Sequence, residues 1–145
     1  MSLNERYDTD NIFAKIIRGE MPCVKIWDSD EVLAFMDVFP QSRGHCLVIH
    51  KHAQATNLMD IDTDALSELI NCVQKIAAGV HKGLAPDGIR IIQFNGAPAG
   101  QTVFHLHFHI IPVYEDEAMS AHGSGGPVAA DILEPLAEKI RAALG

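Results

Sequence analysis

An α+β domain built on an antiparallel sheet is what this sequence predicts, on three observations. Short apolar runs arrive in hairpin-like pairs, one long stretch carries a single helical stripe, and helices are too few to alternate with the strands. The expected architecture is a sheet of about five strands with one long helix, a short N-terminal helix and a C-terminal helix.

The opening residues 1–10, "MSLNERYDTD", are polar and read as a flexible tail without the apolar core of a secretory signal. Residues 12–18, "IFAKIIR", place Ile12, Phe13, Ile16 and Ile17 at helical spacing, and Gly19 is suited to end that helix. "CVKIW", "DSD" and "EVLAFMDV" then read as strand, turn and strand, and "FPQSRG" as a loop. "HCLVIH", from His45 to His50, is apolar and β-branched enough to be a buried strand.

From Asp62 to Lys82 the apolar residues Leu66, Leu69, Ile70, Val73, Ile76, Ala77 and Val80 fall on one helical stripe. Asp62 or Thr63 can cap its start, while Lys82 and Gly83 suit its end. "APDG" at 85–88 is a turn, and 89–94 and 102–113 are strands joined by "NGAPAGQ". Pro112 suggests that the second of these ends there or reaches an edge. Residues 115–127 read as a surface loop and 128–144 as a closing helix that Pro135 kinks or shortens.

At 145 residues the chain is a single domain, 1–145, with a hydrophobic fraction of 48% and a charged fraction of 21%. A net charge of −8 argues against a protein that coats nucleic acid, which needs cations on phosphates. It leaves room for one nucleotide in a local pocket. Cys23, Cys46 and Cys72 form no C-x-x-C pair, so neither a disulfide framework nor a thiolate zinc site is implied. Thiols of this kind fit a reducing compartment, and a cytoplasmic location is expected. No run approaches the roughly 18 apolar residues of a membrane span.

The residues that carry chemistry are "HLHFH" at 105–109. On a strand, His105, His107 and His109 share one face, and Leu106, Phe108 and Ile110 take the other. Same-face neighbours sit about 6.5–7 Å apart, so three in a row cannot close on one zinc ion at about 2.0–2.1 Å. A metal site would need two of them and a ligand from His45, His50 or His52. Plain solvent-facing polarity is a second reading, which three imidazoles beside a glycine-rich loop make less economical.

The third reading is nucleophilic catalysis. His107, flanked on both sides, attacks phosphorus, and its neighbours hold phosphate oxygens or pass a proton. Gly96 and Gly100 let backbone N–H groups approach phosphate, and Gln101 and Thr102 add side-chain donors. This chemistry requires no metal and no cofactor.

"HLHFHII" resembles the histidine triad family, whose signature alternates histidine with apolar residues, and "GQTVF" resembles the lead-in of its Hint-like nucleotide-binding branch. The stretch "NIFAKIIRGEMPCVKIWDSDEVLAFMDVFPQSRGHCLVIHKH" is similar to the N-terminal half of that branch. The resemblance implies that His107 takes up the nucleoside monophosphate, that His105 and His109 are its partners, and that His45 is a fourth histidine near the site. It also implies that Asp37 binds ribose hydroxyls and that Asn95, Gly100, Gln101 and Thr102 lie on the phosphate side. Ile12, Phe13, Ile16, Phe35, Val38 and Leu47 would surround the base, although each is also an ordinary core residue by pattern.

What the resemblance implies about function is cleavage of purine nucleoside phosphoramidates at the α-phosphate through a nucleotidyl-histidine. Two alternatives stay open: hydrolysis of dinucleoside polyphosphates, and a nucleotide-binding or interaction module with little turnover. The implied ligand is an AMP- or GMP-like nucleotide, and the implied assembly is a homodimer through a helix and a sheet edge. The apolar "IRIIQF" edge is consistent with a partner. Many bacterial relatives begin "CIFCKI", with cysteines that help hold a structural zinc; this chain has Asn11 and Ala14 there, so that site is expected to be missing. The segment from Glu115 onward has no counterpart in the resemblance.

Overall fold

The computed structural model describes residues 3–120 and 126–145. Its elements are α1 (Ile12–Ile17), β1 (Lys25–Asp28), β2 (Val32–Met36), β3 (Cys46–His50), α2 (Thr63–Leu84), β4 (Gly88–Ile92), β5 (His107–Val113) and α3 (Ala130–Ala143). Two short 3-10 turns lie at Leu58–Asp60 and Ala97–Ala99. The five strands form one antiparallel sheet in the order β1-β2-β3-β5-β4, which is the α+β architecture expected. Among the described residues no helix is long and apolar enough to cross a membrane.

Every residue of β2 and β3 is buried, so both faces of the sheet's middle are covered. Ala34, Met36, Cys46, Val48, Phe108 and Ile110 point to one side, where they meet Leu69, Val73, Ile76 and Val80 of α2 and Leu133, Ala137 and Ile140 of α3. The other side holds Leu33, Phe35, Leu47 and Ile49, closed by Phe13 from α1. Period-two alternation therefore sorts the same strands into two different environments.

Asp62 caps α2, its side chain accepting from the Ala65 N–H at 2.9 Å. The helix runs past Gly83 to Leu84 and ends at Ala85, which is left-handed at φ 51. Gly83 thus does not end the helix. A Cβ there would sit 2.6 Å from the Lys139 carbonyl oxygen, so the glycine instead lets α3 approach. Ile70, expected in the apolar stripe, is 43% exposed, because the buried face centres on Leu69, Val73, Ile76 and Val80. Pro135 lies within α3 on its exposed side and does not end it.

β5 is shorter than the pattern predicts, beginning at His107 rather than Thr102. The reason is a missing partner. β3 pairs with β5 from Ile49↔His107 to Cys46↔Ile110, and beyond that the Leu106 N–H bonds to the Ala55 carbonyl at 2.9 Å. Pro112 pairs with Ile89 inside β5, past the end of β3, and its carbonyl accepts from the Ser42 hydroxyl at 2.5 Å. Its missing N–H falls on the side that β3 has already left. β4, not β5, is the edge strand.

The described part of the N-terminal segment is tied down where the composition reads as a tail. The Asn57 amide donates to the Leu3 carbonyl at 2.9 Å, and the Tyr7 hydroxyl reaches His105 at 2.7 Å. The expected loop 115–127 lies partly outside the described residues; Ser120 within it donates its N–H to Gln41 O at 2.8 Å, and Val128 just after it donates to Val38 O at 2.8 Å.

Candidate active site

The sheet face that α1 only partly covers contains a cavity of about 550 Å³. Ile12, Phe13, Ile16, Phe35, Val38 and Leu47 line it, together with Asp37, Thr102, His107 and His109. Six apolar positions scattered over residues 12–47 therefore meet the end of the histidine motif. Met21, Pro22, Cys23, Met36, Phe39 and Val103 complete the lining, and the sequence does not single them out as site residues. A second cavity of about 570 Å³ lies between Ser42, Arg43 and α3, and holds none of the histidines.

Each imidazole's proton can be placed from its partners, because a carbonyl oxygen only accepts and a backbone N–H only donates. The Nδ1 of His107 lies 2.7 Å from the His105 carbonyl, so Nδ1 carries the hydrogen and the neutral ring's lone pair is on Nε2. The Gln41 N–H donates to His45 Nδ1 at 3.0 Å, so the neutral His45 ring carries its hydrogen on Nε2. That Nε2 lies 3.0 Å from His109 Nδ1 and 3.4 Å from Asp37 Oδ2. His109 Nδ1 is thus an acceptor, which leaves the hydrogen of a neutral His109 on Nε2. Two neighbouring rings, with centroids 5.0 Å apart, carry opposite functions on the same nitrogen.

His105 behaves differently. It lies before β5 in a bend and is 2% exposed. Its Nε2 donates to the His50 carbonyl at 3.0 Å, and its Nδ1 accepts from the Tyr7 hydroxyl at 2.7 Å. Both ring nitrogens are used inside the protein, and His105 does not line the cavity. Burial pushes its pKa down to about 4, the nearby His107 and His50 adding to the shift while the bond to the His50 carbonyl opposes it. The expectation that His105 would touch phosphate is corrected accordingly: the flank that faces the cavity is His109.

The loop before the motif also differs from expectation. Gln101 is 3% exposed; its amide donates to Thr56 O at 2.6 Å and Val103 O at 3.0 Å, while its Oε1 accepts from the Gly96 N–H at 2.8 Å. These bonds brace the loop and commit both amide hydrogens, so the side chain has no donor left over for phosphate. The Gly100 N–H bonds to Ala97 O at 3.0 Å and the Gln101 N–H to Gly96 O at 3.1 Å, so these amides too are used within the loop. Gly100 itself is left-handed at φ 111. Asn95 does not line the cavity; its Oδ1 accepts from Leu58 N–H at 2.9 Å and Gln93 at 2.8 Å. Thr102 is the member of this group on the cavity wall.

Asp37, His45 and His109 offer one ligand atom each within 4.8 Å of one another. A cation does not fit this set. With the Gln41 N–H on its Nδ1, His45 would have to become an imidazolate to present a lone pair at Nε2. The cluster reads as a hydrogen-bonded chain instead. Asn11, where the resemblance would ask for a cysteine, caps α1 and accepts from the Ala14 N–H at 2.9 Å. Cys23, Cys46 and Cys72 are unpaired, and Cys46 and Cys72 are buried.

Missed by the sequence reading are Tyr7 on His105 and Phe94, whose ring stands edge-on to His109 at 5.4 Å. Tyr7 lies in a stretch with no periodicity, so no pattern marks it. Phe94 closes an apolar run and could have been noticed as its aromatic end.

Comparison with known proteins follows the same lines. A model of the HIT domain matches residues 18–116. An adenosine 5'-monophosphoramidase of Schizosaccharomyces pombe is 34% identical over 130 residues, covering 89% of this chain and 94% of that protein. An adenylylsulfatase of Arabidopsis thaliana is 37% identical over 115 residues, 79% of this chain and 58% of its own length. Among solved structures, a Hit-like protein from Bartonella henselae superposes with a TM-score of 0.86 at 49% identity, covering 95% of this chain and 99% of that one. The family model and a relative matched nearly end to end coincide with the histidine face just described, and on that ground the chain belongs to the HIT family.

Proposed function

We propose that the protein is a nucleotide hydrolase that cleaves purine nucleoside phosphoramidates through a nucleotidyl intermediate on His107. One observation carries this reading: the His105 carbonyl fixes the His107 tautomer, which places the lone pair of the neutral ring on Nε2, beside His109. The apolar cavity supplies a place for a purine, and Asp37 on its wall can accept both ribose hydroxyl protons. The names of the phosphoramidase and adenylylsulfatase relatives support the substrate class.

The bond changes follow from the proton positions. His107 Nε2 attacks the α-phosphorus as the phosphorus–nitrogen bond breaks, and the departing nitrogen takes the Nε2 proton of His109. The nucleotidyl-imidazolium formed on His107 carries the positive charge that balances the proton lost from His109, while the His45 Nε2–H stays on His109 Nδ1 and supports that ring until water returns the proton. Water then attacks phosphorus, gives a proton to His109 Nε2, and releases the nucleoside monophosphate from His107.

The test is to incubate the protein, treated with a chelator, with an adenosine phosphoramidate and in parallel with a diadenosine polyphosphate. The quenched protein is analysed by mass spectrometry. A nucleotidyl adduct on His107 with the phosphoramidate, missing in His107→Ala, is the expected result. No adduct with either substrate would overturn the reading, and an adduct with the polyphosphate alone would transfer it to the other leaving group.

Assembly as a homodimer belongs to the same proposal. Ile70 of α2 and Ile91 of the edge strand β4 are 43% and 44% exposed, which supports a partner along that helix and edge.

A further inference from the structure

Outside the cavity, a buried imidazole is held by a residue from a segment with no pattern of its own. We propose that Tyr7 is a positioning residue for the nucleophile, acting through His105. The inference rests on the assignment of His107 as that nucleophile.

The direction of each bond is forced. The His50 carbonyl can only accept, so His105 Nε2 donates to it, and the remaining Nδ1 lone pair must accept from the Tyr7 O–H at 2.7 Å. The hydroxyl therefore completes the fixation of a ring whose own carbonyl, 2.7 Å from His107 Nδ1, sets the His107 tautomer. Tyr7 does not line the cavity, so its effect on chemistry passes through His105. Phe13 stands edge-on to both imidazoles, at 6.4 Å from His105 and 5.0 Å from His107, and keeps the two rings in one packed row.

The segment that carries Tyr7 is built to hold it there. Asn57 fixes Leu3, the Asn11 amide holds the Asp8 carbonyl at 2.8 Å, and Arg18 holds the Thr9 carbonyl at 2.6 Å. Tyr7 is thus clamped from both sides by bonds to the loop after β3 and to the start and end of α1. Its phenol is pushed up, chiefly by burial, so it stays a donor through the neutral range.

The test is Tyr7→Phe, which keeps the ring and removes the hydroxyl. With ¹⁵N-histidine labelling, the wild-type free protein shows His107 as one tautomer, protonated at Nδ1. In Tyr7→Phe the buried His105 Nδ1 loses its donor, and His107 becomes a mixture of tautomers. The rate of His107 adduct formation falls about tenfold while KM changes less than about twofold. An unchanged His107 tautomer in Tyr7→Phe overturns the proposal, including where the melting temperature drops, because that would be a structural role only. The tautomer is read without substrate, so failure of the wild type to form an adduct would sink the hydrolase reading and leave Tyr7 separately decided.

Discussion

The two faces of the sheet are made by the same strands yet built on opposite rules. On the face covered by α2 and α3, apolar side chains fill the space, with His50 at its margin reaching Glu68 of α2 at 3.1 Å. Across the sheet, α1 has six residues and covers too little, so a cavity remains and imidazoles project toward it. The buried polar side chains among the described residues are Asp37, His45, His50, Thr56, Asn57, Gln101, His105, His107 and His109, and none comes from α2 or α3. The lesson is a division of labour. The helix-covered face supplies stability that no bond direction constrains. On the other face every group must find a partner, and the partners set proton positions.

The largest expected effect tests that division at its polar end. His107→Ala should lower adduct-dependent turnover by about a thousandfold or more, with little change in the denaturant midpoint. A large loss of stability in this variant would break the contrast. At the apolar end, Ile76→Ala removes a side chain with no exposed surface and should cost about 2–5 kcal/mol in urea unfolding. Its KM and kcat, measured where the variant is folded, should stay at wild-type values.

A third experiment turns on His105. Its pKa is lowered in the fold from the usual 6.5 to about 4, so the unfolded chain binds the extra proton first as pH falls. The stability it contributes is complete above about pH 6.5 and is lost between there and about pH 4, roughly 3 kcal/mol in all. An NMR titration should find His105 neutral at pH 5; titration near 6.5 would show a wetter site face than described. Smallest is Asn11→Ala, which removes the α1 cap and should cost about 1 kcal/mol. Because α1 carries Ile12, Phe13 and Ile16, KM should rise modestly with it, as titration with a nucleoside monophosphate would show.

Much of this division is readable in the chain. Period-two alternation in "HCLVIH" and "HFHIIPV" assigns residues to faces, and the spacing of Leu69, Val73, Ile76 and Val80 gives the helix that seals one of them. The apolar pocket residues were identified by resemblance, since Ile12 or Phe35 alone is indistinguishable from core. Alternation, however, says nothing of where a ladder stops, and β5 stops when β3 runs out, leaving His105 in a bend. Nor does it say which way an amide turns: Gln101 looks outward as a residue type and inward in the fold because Thr56, Gly96 and Val103 offer it partners. Gly83 reads as a helix stop until α3 is seen beside it. Each miss is a long-range contact, which local pattern does not encode.

The chain after β5 is pegged twice to the loop that leaves β2, at Ser120 on Gln41 and at Val128 on Val38. The loop so gripped also carries Asp37 and the amide that orients His45. The far end of the chain and the orientation of His45 therefore share one anchor, so a change at either peg is carried into the backbone that sets an imidazole.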